Sequence, residues 1–140
     1  MGSTDAVVFD AEPLVAFLAD EPGSSAVERW VERAATGEIR GYVSPITKTE
    51  ISYVALREGV PESVISEFIG RLADNGIETY EAERCWIHAA AFKNEYTVPL
   101  GDAFALATAR CTDSSILVGA DDEFEEIDDV PLIPFRDEPT

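Results

Sequence analysis

Four acids occupy positions where a carboxylate is costly unless it has work to do: Asp10, Glu50, Asp102 and Asp121. Asp10 ends an apolar run, Ala6-Val7-Val8-Phe9, that reads as a buried first strand. Asp121 follows the other strongly apolar run, Ser115-Ile116-Leu117-Val118. Glu50 interrupts a helical stripe formed by Ile46 and Val54, one turn to either side. Asp102 lies at the start of an alanine-rich helix. Carboxylates brought together raise one another's pKa, and a bound cation removes that cost. All-oxygen ligands favour Mg²⁺ or Mn²⁺ over zinc. Such an ion acidifies a bound water and polarises a phosphoryl oxygen, while a neighbouring acid can serve as general base. The four acids are therefore both the expected metal ligands and the expected catalytic residues of a phosphodiester hydrolase.

Each acid also has a plainer explanation. Asp10 could cap the next helix, Asp121 could be a turn residue, and Glu50 could pair with Arg57. Asp102 could simply complement a helix dipole. The coincidence of all four favours a shared site. Other chemistry has little material. The one histidine, His88, sits among Trp86, Ala89 and Ala90 and reads as a packing or surface residue. The two cysteines, Cys85 and Cys111, have no CxxC or Cys/His spacing and read as small apolar side chains. No phosphate-cradling glycine loop or serine-nucleophile motif occurs.

The elements that must position the acids alternate between strand and helix patterns, which predicts an α/β fold with a mostly parallel sheet. Strands are expected at 6–9, 39–43, 77–80, 115–118 and 131–133. Leu14, Val15, Phe17 and Leu18 form a short helix after Pro13. Val27, Trp30, Val31 and Ala34 give an amphipathic helix that stops at Gly37. Ser44-Pro45 reads as an N-cap followed by proline at the first helical position, with the helix ending near Gly59. Pro61 opens the next helix, which Asn75-Gly76 closes. Further helices are expected over 82–94 and 101–111. In an open α/β sheet, ligands bind beyond the carboxyl ends of the strands, where Asp10 and Asp121 fall.

The 140 residues favour a single domain over 1–136 with a loose tail at 137–140. No apolar run is long enough to span a membrane, and the N-terminal residues do not resemble a secretory signal, so a cytoplasmic protein is expected. Asp and Glu total 28 against 10 Lys and Arg, a net charge of −18. That surface repels nucleic acid at ordinary ionic strength. In about 1 M salt the Debye length falls to roughly 3 Å and the objection disappears. A salt-adapted, halophilic setting is the expectation that reconciles the charge with the chemistry; an acidic protein that binds a basic partner is the other.

With these residues in place the chain resembles a PIN domain, and within that family a VapC-type toxin ribonuclease. The resemblance runs from Val7 to Phe135 through the segments VVFDAEPLVAFLADEPGS, VSPITKTEISYVALREG, PLGDAFALATA and ILVGADDEFEEI. The family's acids fall on Asp10, Glu50, Asp102 and Asp121 in order. The resemblance implies a central parallel sheet of about five strands flanked by helices on both faces. It also implies metal-dependent cleavage of RNA, frequent homodimers and a small antitoxin that blocks the site. Two positions depart from the common pattern: Gly119 stands where many members carry threonine, and Pro99 where serine is frequent. A lost hydroxyl can loosen the order around a metal. Asp122 is read as surface and Thr47 as a residue of the first helical turn, each with a role at the site left open. Arg40, Lys48, Arg57, Lys93 and Arg110 are the candidates for phosphate contact. A phosphorylated receiver domain fits poorly, because no acid adjoins Asp10 and no lysine follows Lys93. A PIN-like binding module without catalysis, or a non-toxin RNA-processing nuclease, remains the alternative.

Overall fold

The computed structural model describes residues 3–119 and 127–137. Its centre is a five-stranded, all-parallel sheet in the order β3-β2-β1-β4-β5. The strands are β1 (Ser3–Phe9), β2 (Arg40–Val43), β3 (Ile77–Thr79), β4 (Ser114–Val118) and β5 (Leu132–Pro134). Six α-helices among the described residues connect them: α1 (Ala11–Leu18), α2 (Ser24–Ala35), α3 (Pro45–Arg57), α4 (Glu62–Gly70), α5 (Trp86–Glu95) and α6 (Leu100–Thr112). This is the α/β architecture expected from the alternation of patterns.

Parallel strands need crossovers, and the crossovers bury the sheet on both faces. That is why β1 and β4 carry unbroken apolar runs. Successive side chains on β1 point to opposite sides. Val7 and Phe9 join Leu14, Val27, Trp30, Ile51 and Leu117 in one core. Val8 joins Phe92, Val98, Leu106, Ile116 and Val118 in the other. The acids lie at the end of the sheet where these two cores meet the same strands.

Local signals explain most boundaries. Ser44 caps α3, its hydroxyl accepting from the Ile46 N–H at 3.2 Å, with Pro45 next. Gly76, at φ 79°, closes the turn before β3, and a Cβ there would run into the backbone carbonyl of Ala34. Three expectations shift. First, α1 begins at Ala11 rather than after Pro13; a proline in the first turn lacks only an N–H that would be unpaired anyway. Second, the helix expected over 82–94 is interrupted. Ala82–Arg84 form a 3₁₀ turn, Cys85 takes φ −140°, and α5 starts at Trp86. The break turns the Cys85 thiol inward to within 3.9 Å of the Thr108 hydroxyl. Third, Phe135–Asp137 form a 3₁₀ turn, so regular structure extends one residue into the tail expected from 137. Residues 138–140 lie outside the described residues.

Candidate active site

The chain runs outward from β1 through β2 to β3, then returns to place β4 on the other side of β1. The connection reverses direction between β1 and β4, and the crevice beyond their carboxyl ends is the topological switch point. Asp10 sits at the end of β1, its N–H bonded to the Leu117 carbonyl of β4 at 3.1 Å. Asp10 is 4% exposed, and its Oδ1 is buried without a hydrogen-bond partner among the described residues. Although Asp10 occupies the N-cap position of α1, its side chain makes no capping bond into the helix. The plainer explanation for this residue therefore loses ground.

Asp102 comes from the first turn of α6 and is 7% exposed. Its side chain lies close enough to that of Asp10 to bear on its titration. Small residues let the start of this helix pack closely on all sides: Ala103, Ala105 and Ala107 are fully buried. Gly101 does the same for the neighbouring helix. A Cβ at that position would overlap the Glu50 carboxylate, so the bare backbone lets α3 bring Glu50 against the start of α6. Thr47 lies one turn earlier on α3; it is fully buried, and its hydroxyl has no hydrogen-bond partner among the described residues.

Burial pushes the Asp10 carboxyl up from 3.8 to about 7. The negative charges of Glu50 and Glu12 push in the same direction, while the Ala11 N–H and the Asp102 side chain offset part of the rise. Such a site pays for its ionised form and gains from an added positive charge.

The structure thus brings Asp10, Glu50 and Asp102 to one end of the sheet. Asp121 and Asp122 lie outside the described residues. Among the described residues, no three acidic, histidine or cysteine side chains close into a ready metal cage. His88 is exposed on α5 and lines a separate cleft of about 280 Å³ with Phe92, Glu95, Arg110 and Asp129.

Sequence reasoning passed over Glu12. Its carboxylate lies where a Cβ of Gly119 would be, directly after β4, and pairs with Arg136 at 3.1 Å. Glu12 and Glu50 line one cleft of about 240 Å³ together with Ala11, Val15, Glu21, Val54 and Glu58. The one available signal was its position two residues after Asp10, at the same end of the sheet. Of the proposed phosphate contacts, Lys48 reaches the end of β3, its Nζ donating to the Thr79 hydroxyl at 3.0 Å. Arg110 instead faces Asp129 at 3.5 Å, in the His88 cleft.

A chain with buried carboxylates at the switch point of a five-stranded parallel sheet belongs to the PIN domain family, whose profile matches residues 7–130. Its fold is shared by chains from solved toxin–antitoxin complexes. A chain of VapBC2 from Rickettsia felis, bound to a promoter DNA fragment, superposes with a TM-score of 0.71 at 12% identity, over 92% of this chain and 98% of that one. A chain of DNA-bound VapBC from Salmonella typhimurium gives 0.71 at 16% identity, covering 93% and 98%. A toxin–antitoxin complex from Klebsiella pneumoniae gives 0.66 at 20% identity, covering 92% and 97%. At these identities the likeness is one of fold. No curated protein matches the chain. No helix among the described residues is long and apolar enough to cross a membrane.

Proposed function

We propose that this protein is a metal-dependent endoribonuclease and the toxin of a toxin–antitoxin pair. The observation that carries the reading is the buried Asp10–Asp102 pair, with Glu50 beside it, at the switch point of a PIN fold. The donor set suits a hard divalent cation. It consists of oxygen atoms only, and one of them, Asp10 Oδ1, is buried with no hydrogen-bond partner among the described residues. Asp10, Glu50 and Asp102 would hold Mg²⁺ or Mn²⁺, with Asp121 as the expected fourth ligand. When bound, the ion supplies an acidified water and charge stabilisation for the phosphoryl oxygens.

The chain's own residues do the rest. Asp10, whose burial favours its neutral form, gains from a cation placed between it and Asp102. Gly101 holds Glu50 close without competing for space. Asp10 and Asp102 are both nearly buried, and removal from water strengthens every charge interaction there. Lys48, whose Nζ lies at the end of β3, would meet a phosphate of the incoming strand.

The test is cleavage of structured and single-stranded RNA with Mg²⁺ or Mn²⁺, with and without EDTA, at low and molar salt. Asp102→Asn is expected to abolish cleavage; persistence of cleavage in that variant or in EDTA would refute the reading. Growth arrest on expression, relieved by Asp10→Asn, would support the toxin role. The acidic cleft between Glu12, Glu21, Glu50 and Glu58 supports a basic antitoxin segment as its occupant. A pull-down in molar salt that recovers no basic partner would count against that segment. The homodimer expected from the resemblance is tested by light scattering; a single monomeric mass across concentrations would refute it.

A further inference from the structure

We infer that Glu12 is a further carboxylate of this site, given room by Gly119 and held by Arg136. The inference rests on the reading of Asp10, Glu50 and Asp102 as a metal centre. Three observations converge on Glu12. The Glu12 carboxylate fills the space beside the Gly119 Cα that any other residue's Cβ would claim. Gly119 directly follows β4, so this space lies at the mouth of the β1–β4 crevice. Glu12 and Glu50 also line the same cleft, and Glu12 lies two residues beyond the buried Asp10, whose Oδ1 has no hydrogen-bond partner among the described residues.

Arg136 fixes the carboxylate from outside. Its Nε donates to Glu12 Oε2 at 3.1 Å, and its Nη1 donates to the Pro22 carbonyl. The guanidinium lies 4.6 Å from the Phe135 ring centroid, and Phe135 itself is fully buried, packed against Gly23. One end of the clamp is thus anchored in the core and the other grips the acid. Arg–carboxylate pairs of this kind define direction as well as charge. The pair is about one-third exposed on each side, so its worth lies in aiming the carboxylate rather than in stabilising the fold.

Gly119 offers a clean perturbation. Its φ lies outside the left-handed region, so alanine there meets no backbone strain. The added methyl meets only Glu12 atoms among its nearest neighbours. Gly119→Ala therefore displaces the carboxylate without touching Asp10, Glu50 or Asp102.

The experiment is Mn²⁺ titration of the purified protein, followed by calorimetry or by the loss of free-ion resonance signal, with melting curves to confirm folding. Glu12→Gln and Gly119→Ala are each expected to weaken Mn²⁺ binding by about tenfold, the size expected for a group supporting a metal's shell. Glu12→Asp should restore part of the loss. The double variant should bind no worse than either single, because both changes remove the same carboxylate. Unchanged Mn²⁺ affinity in Glu12→Gln, or additive losses in the double variant, would overturn the inference. Asp10→Asn separates this from the parent reading. If Asp10→Asn abolishes binding while Glu12→Gln leaves the affinity unchanged, Glu12 alone is excluded. If Asp10→Asn binds Mn²⁺ normally, the metal centre itself falls.

Discussion

Replacing Asp10 by asparagine should make the protein more stable and inactive at the same time, and the gain should depend on pH. The folded carboxyl titrates at about 7 against an ordinary 3.8, chiefly because burial strips it of water. Between those two values the folded state binds more protons than the unfolded state. Stability therefore falls as pH rises through that window. Below it both states are protonated and the penalty is absent; above it the penalty is complete. At 1.36 kcal/mol per pH unit, the gap corresponds to about 4 kcal/mol as an upper bound. Asparagine keeps the shape and can donate to Asp102, but it carries no charge to desolvate. At pH 8 in EDTA, the Asp10→Asn variant should melt roughly 10 °C above the parent, taking about 3 °C per kcal/mol for a chain of this length. Near pH 4 the two curves should converge. Because desolvation outranks the Glu50 and Glu12 charges as the cause, molar KCl should leave most of the difference in place. Saturating Mn²⁺ should close the gap by stabilising only the parent. Equal melting temperatures at pH 8 in EDTA, or a gap that persists unchanged at pH 4, would refute the reasoning.

Other outcomes are expected. The melting temperature of the parent should rise between low and molar KCl, as the self-repulsion of a −18 chain is screened; no gain would sink the salt-adapted reading. Gly76→Ala should cost about 2 kcal/mol or more in denaturant titrations, since φ 79° and the Ala34 carbonyl both oppose a side chain. An unchanged midpoint would show that the turn relaxes freely. Ser44→Ala should cost about 1 kcal/mol through the lost cap of α3 and should lower cleavage only in step with stability. Leu106→Ala, in the fully buried wall of the second core, should cost about 2–5 kcal/mol by equilibrium unfolding.

The fold was legible wherever burial on both faces left unbroken apolar strands. Val7, Val8 and Phe9, and Ile116, Leu117 and Val118, could hardly have been anything but central strands. Asp10 was legible because it ended one of them. Glu50 and Asp102 were legible because each stood in an apolar or alanine-rich context that a surface acid would not share. Glu12 was not. In a chain with 28 acids, one more on a half-exposed helical turn carries no signal. Its distinction comes from Gly119, 107 positions away, whose missing side chain looked like a lost hydroxyl and proves to be a vacated space. Arg136 was hidden for a related reason. A charged tail reads as loose until Phe135 is seen to be buried. The break at Cys85 was invisible because helical periodicity continues across it, and only the packing of α5 against α6 interrupts the backbone.

The reversal between β1 and β4 also sets a timetable. Val7 pairs with Ser115, so the central strand stays half-paired until more than a hundred further residues exist. Long-range parallel pairing of this kind forms late, because its loop-closure cost precedes its reward. On the ribosome, Asp10 emerges first but has no Asp102 beside it until α6 is made and no β4 to close the crevice until after that. Glu12 waits longer still for Arg136. A nascent chain therefore carries scattered, separately hydrated acids through nearly all of its synthesis. The carboxylates of the crevice are therefore brought together only after β4 and the segment that holds Arg136 have been made.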